Sequence, residues 1–140
     1  MIALPDVPNE FGWGMIAVGA TYAILAISYH VLKPRKAKDE ILSNLRKLRR
    51  DGVALRNRGK RLNTEDKVDS WIKETDEWGA NVIAVLEKGS EAETAYFETL
   101  DQMPPRIFPS AINERHLLYL SIITERLQRL MEIMRRLEKS

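Results

Sequence analysis

Cysteine is absent, and histidine occurs only twice, at His30 and His116, far apart in the chain. Disulfides and thiolate chemistry are thereby excluded, and a zinc site would have to be built mostly from carboxylates, against that metal's usual preference. No nucleotide or nucleic-acid motif is present, and no Ser, His and Asp fall in a recognisable nucleophile turn. His116, beside Glu114 and Arg115, lacks the oriented partner and pocket that a general base needs. Glu74, Asp76 and Glu77 cluster, but carboxylates of one helical segment read as a solvated face rather than a metal site. The sequence therefore predicts no enzyme, with no catalytic, metal-binding or cofactor-binding residues and no small-molecule substrate.

Charge is what the N-terminal part lacks. Phe11 to Leu32 is an unbroken run of 22 residues without Asp, Glu, Lys or Arg. At about 1.5 Å of rise per residue a helix of that length crosses a hydrocarbon core about 30 Å thick. A signal peptide is the rival reading, and the polarity speaks against it. The leader carries Asp6 and Glu10 instead of positive charge, the run is long, and Ser28-Tyr29-His30-Val31 offers no small-residue cleavage site. Trp13 at one end, and Tyr29 with His30 at the other, suit the two headgroup zones. Gly19 and Ala23, four apart, form a weak small-residue pattern for helix pairing.

Lys33, Arg35, Lys36 and Lys38 follow the run at once, whereas no Lys or Arg precedes it. The positive-inside bias then predicts an extracytoplasmic tail at 1–10, a transmembrane helix at 11–32 and a cytoplasmic domain at 33–140, in a single-pass protein of the cell membrane. This membrane-proximal basic cluster can also meet anionic lipid, although setting the topology accounts for it. The alternative is the reversed topology of an envelope spacer or lysis protein.

The remaining chain suits one domain and reads as all-α, because its apolar residues recur at spacings of three and four. Ile41, Leu45, Leu48, Gly52, Leu55, Gly59 and Leu62 form one face, and Val68, Trp71, Thr75, Trp78, Val82 and Val85 a second. Asn63 or Thr64 opens that second helix, and Lys88 precedes Gly89 at its close. Ser90 to Glu93 has the form of a capping box for a short helix carrying Ala92, Ala95, Tyr96 and Leu100. Pro104, Pro105 and Pro109 break the helical pattern, and a last helix from near Ser110 to about Leu137 carries Leu120, Ile123, Leu127, Leu130, Met134 and Leu137. Three faces of similar length predict a soluble antiparallel three-helix bundle with coiled-coil-like packing, its end closed by the short extra helix and the proline loop.

Glycine inside a helix costs about 1 kcal/mol relative to alanine. Gly52 and Gly59 stand seven apart, as do Trp71 and Trp78, and this shared spacing predicts indole rings resting over glycine gaps. The two tryptophans therefore read as packing residues rather than as a ligand platform.

Charge is segregated along the chain. Residues 33–62 hold twelve Lys or Arg against three Asp or Glu, 63–103 hold three against eleven, and 104–140 hold seven against four. Antiparallel neighbours of opposite sign can pair along their edges, which predicts that the acidic helix engages most of the basic one. That arrangement disfavours nucleic acid as a partner, since the acidic helix would repel phosphates and no aromatics interleave the basic run.

The function expected from these features is a membrane-anchored protein-interaction or scaffold module. It would bind membrane lipid through its anchor and another protein, or itself, through the bundle. Candidate partner contacts are Ile107 and Phe108 in the proline loop, which could dock a partner or plug the bundle end, and Leu118, Ile122, Ile123 and Leu127 of the last helix. The alternative function is a membrane-tethered regulator that binds nucleic acid through its basic helix.

Overall fold

Heptad spacing becomes helix. The computed structural model describes residues 35–140, and among them are four helices and no strand. The expected transmembrane segment and Lys33 lie outside the described residues; among those described, no helix is long and apolar enough to cross a membrane. The bundle is the compact unit Lys38–Ser140.

Helix α1, in its described part, covers 35–59 and loosens into a turn at Lys60 and Arg61. Helix α2 is Glu65–Glu87, capped by Thr64, whose hydroxyl accepts the Lys67 N–H at 3.4 Å while Glu65 and Asp66 complement the positive end of the helix. Helix α3 is Glu91–Glu98, with Ser90 Oγ accepting the Glu93 N–H at 3.2 Å. The capping box is only half closed, because the Glu93 carboxylate turns to Arg136 and the Ser90 N–H bonds Leu86 O. Helix α4 is Glu114–Lys139, capped by Asn113, which accepts the His116 N–H at 2.8 Å. It thus begins after the expected position near Ser110, because Pro109 and Ser110 lie in a turn in which the Ala111 N–H bonds Phe108 O at 3.0 Å, and Asn113 supplies the cap instead.

The core joins Leu42 and Leu45 of α1, Val68, Trp71, Ile72, Trp78, Val82 and Leu86 of α2, Phe97 of α3, and Leu120, Ile123, Leu127, Leu130, Ile133 and Met134 of α4. In α3 the buried face is Thr94 and Phe97, whereas Ala92 and Ala95 face solvent. The alanine spacing misleads because Phe97 has far more apolar area to remove from water than either alanine.

The tryptophans fit the glycines as their spacing predicts. A Cβ at Gly52 would lie 2.5 Å from Cζ2 of Trp78, and one at Gly59 would overlap the Trp71 ring. Each indole N–H also donates to a carbonyl of α1 one turn before its glycine, Trp78 to Leu48 at 2.7 Å and Trp71 to Leu55 at 2.8 Å. Backbone approach and hydrogen bond depend on each other, because only a bare helix surface lets an indole edge reach the carbonyls.

Helix directions follow from the contacts. Arg46 meets Glu138, Gly52 meets Leu127 and Gly59 meets His116, so α1 runs antiparallel to α4 as well as to α2. Helices α2 and α4 are consequently parallel, with Asp69 beside Arg115 and Gly79 beside Arg126. The short helix and the proline segment therefore do more than close one end. They carry the chain back along the bundle: Glu93 lies beside Arg136, Arg106 beside Glu125, and Phe108 under Lys60 at the far end. Helix α3 packs on both α2 and α4 and fills the groove between them.

Candidate partner-binding surfaces

The proline segment, 99–113, is held as a strap by a buried ionic cluster. Arg106 donates to Glu125 at 2.9 Å and to Gln128 at 3.0 Å, and Arg129 donates to Glu125 at 3.2 Å. Arg129 also bonds the carbonyls of Tyr96, at 2.8 Å, and Thr99, thereby satisfying the end of α3. Burial by itself would raise the Glu125 pKa, but hydrogen bonds and charge from Arg106 and Arg129 outweigh it and leave the carboxyl below its usual range. The sequence pattern marks only the i,i+4 pair of Glu125 and Arg129; Arg106 joins it once the strap has folded back.

On the same flank, α4 grips α3. Arg136 forks onto Glu93 at 3.0 and 3.2 Å and stacks 4.7 Å from the Tyr96 ring, and Arg126 lies 5.3 Å over Phe97. The Tyr96 hydroxyl donates to Glu132, a bond that, with burial, pushes the phenol pKa up. Burial lowers the Arg126 pKa against the raising effect of Asp76, Glu98 and Tyr119.

His116 is fully buried. Its Nδ1 accepts the Ile112 N–H at 3.2 Å, so Nε2 carries the proton and donates to the Gly59 carbonyl at 2.7 Å. Both ring nitrogens are engaged in fastening α4 to the end of α1, with the ring edge-on to Trp71 at 5.7 Å.

The chain matches no protein-family model, no curated protein and no solved structure.

Of the candidate contacts, Ile107 is 88 % exposed and Leu118 is 49 % exposed, and Ile112, which the helical pattern did not single out, is 40 % exposed. Phe108 and Ile122 are half-buried, Phe108 against the core. Ile123 is wholly enclosed in the core, and Leu127, only 5 % exposed beside Gly52, shows no more than an edge on the α1/α4 side, so neither is the open contact that the sequence suggests; both belong to the same stripe as Leu120 and Leu130. Of the basic cluster, Arg35 and Lys36 are exposed and Lys38 bonds the Ser140 carbonyl. Glu74 pairs with Arg58, Asp76 accepts from Tyr119 at 3.4 Å, and no metal-competent cluster occurs among the described residues.

The acidic helix engages much less of α1 than the charge pattern predicts. Among the described residues, Arg58 to Glu74 joins α1 to α2 and Arg46 to Glu138 joins it to α4, while Arg49, Arg50 and Arg56 reach no carboxylate. The cause is geometric: the Trp–Gly fit presses α1 against α2, and these three arginines fall elsewhere on its circumference. Arg49 and Arg56 instead line a groove of about 470 Å³ between α1 and α4, floored by Val53, Leu127 and Met131 and closed on the far side by Arg135.

Proposed function

We propose that this chain is a membrane-anchored interaction module whose bundle presents an apolar tip to a partner protein. The observation that carries the reading is the placement of the exposed apolar side chains. Ile107 and Ile112 on the strap and Leu118 in the second turn of α4 are the large apolar side chains left exposed among the described residues. They lie toward the end where Phe108 meets Lys60, away from the end where Lys38 meets Ser140. The α1 helix separates those ends by about 30 Å. The uncharged run 11–32 and the basic residues after it support an anchor on the Lys38 side, with the bundle in the cytoplasm.

The anchor is tested by alkaline extraction of membranes carrying the tagged full chain. Retention in the pellet, lost when 1–32 are deleted, is expected; release of the full chain would overturn the anchor. The tip is tested by in-cell crosslinking followed by mass spectrometry, comparing the natural chain with an Ile107→Ser, Leu118→Ser double variant. Loss of a specific crosslinked protein from the variant, with its thermal unfolding unchanged, is expected. An identical crosslink pattern would remove the tip from the function.

A further inference from the structure

The α1/α4 groove stands apart from the apolar tip. Its basic walls are Arg49 and Arg56 from α1 and Arg135 from α4. Arg49 and Arg135 each approach the Met131 sulfur, at 3.9 Å, so two like charges converge on a thioether, a far weaker acceptor than a carboxylate. The Nε of Arg56 is enclosed and has no acceptor, and its Nη2 reaches only Asn57 Oδ1, at 3.5 Å. The carboxylate in the wall, Glu132, is engaged by the Tyr96 hydroxyl. None of the three arginines forms an ion pair among the described residues.

The molecule itself shows what α4 does with such a set. On its opposite flank Arg126, Arg129 and Arg136 hold α3, a short acidic helix, by a forked bond to Glu93, by bonds to carbonyls at its end, and by stacking on Phe97 and Tyr96. The α1/α4 groove repeats the components, arginines above an apolar floor of Val53, Leu127 and Met131, without an occupant from the described residues. We infer that this groove docks an acidic amphipathic helix of a partner protein, its carboxylates pairing with Arg49, Arg56 and Arg135 and its apolar edge resting on Met131. The inference rests on the interaction-module reading and adds a second contact to it. A helix fits better than a nucleic-acid strand because the floor is thioether and aliphatic, with no aromatic face for a base to stack on.

The test uses the purified full chain in neutral detergent micelles, challenged with a displayed library of helical peptides of about sixteen residues. Expected are selected peptides with Asp or Glu flanking Leu, Met or Phe at helical spacing, and weaker binding as salt rises. In fluorescence anisotropy with a selected peptide, Arg49→Ala and Arg135→Ala should each weaken binding by about tenfold, the loss of one charge-assisted contact. Lys47→Ala, which removes the same charge from an exposed α1 position outside the groove, should not. An Arg49→Glu, Arg135→Glu double variant should shift the selection toward Lys and Arg, and circular dichroism melting confirms that each variant folds.

Four outcomes overturn the inference. These are selection without acidic enrichment, equal losses for the Lys47 control, tighter binding of polyuridylate or anionic phosphatidylserine vesicles through the same arginines, and self-association of the chain that Arg49→Glu abolishes. The groove can fail while the anchor and tip results stand, and the reverse holds too, so the two readings are separable.

Discussion

Gly52 and Gly59 matter through what they omit. A methyl group at either position would meet an indole ring that is almost wholly buried and hydrogen-bonded to α1, so neither side can yield cheaply. Gly59→Ala is expected to destabilise the bundle by about 2–3 kcal/mol despite alanine's better helix propensity, measured by urea unfolding. An unchanged midpoint would mean that the ring is free to move. Glu125 supplies a second prediction at this scale. Its folded pKa lies below the unfolded value, so its contribution is present above the unfolded pKa of about 4.3 and is lost as pH falls through the folded one. Glu125→Gln should flatten that acid limb of the stability profile while lowering stability at neutral pH; an unchanged acid limb would contradict the assignment. The glycine fit was legible because two equal spacings coincide in the sequence. The role of His116 was not, since its acceptor, Gly59 O, lies 57 residues away and is a backbone atom without a side-chain signature.

Among the elements, the long amphipathic faces were legible and the route between them was not. Stripes at spacings of three and four report which side of each helix is buried, but they are indifferent to helix direction. The strap returns the chain to the start of α4, and its Arg106 pins it to Glu125 of α4, which Arg129 also engages. Arg106→Ala should therefore release the strap locally, seen as faster limited proteolysis within 99–113 with little loss of helical circular dichroism. Equal cleavage rates would show that the prolines and Phe108 hold it unaided. Ile123→Asp and Leu127→Asp, by contrast, should unfold the bundle, costing about 3 kcal/mol or more each, because a carboxylate would enter a core without a partner. They report on folding and cannot be used as probes of binding.

At the scale of the whole molecule, charge segregation in the chain does not translate into mutual neutralisation in the fold. Once the Trp–Gly fit determines how α1 meets α2, the arginines that remain on the α1/α4 side form a basic groove, and the acidic side chains of α2 face elsewhere. Composition by segment could be read as either a paired or an unpaired surface, and only the rotation of α1 about its axis decides between them. The apolar tip and this groove are chemically different surfaces. The Ile107→Ser, Leu118→Ser variant should leave unfolding free energy within about 0.5 kcal/mol of the natural chain, as exposed positions do. A larger loss would mean that the tip contributes to the fold.

The two tryptophan notches also act as a key with two teeth. A single heptad repeat tolerates slippage by seven residues, since every apolar position finds another apolar position. Sliding α2 by one heptad in one direction would bring Trp71 to Gly52 but set Trp78 against Leu45, which has no gap to receive it. Sliding it the other way would bring Trp78 to Gly59 and leave Trp71 beyond the last turn of α1. Each misregistered hairpin strands one large ring, so the pair of notches excludes alternative alignments that either notch alone would permit.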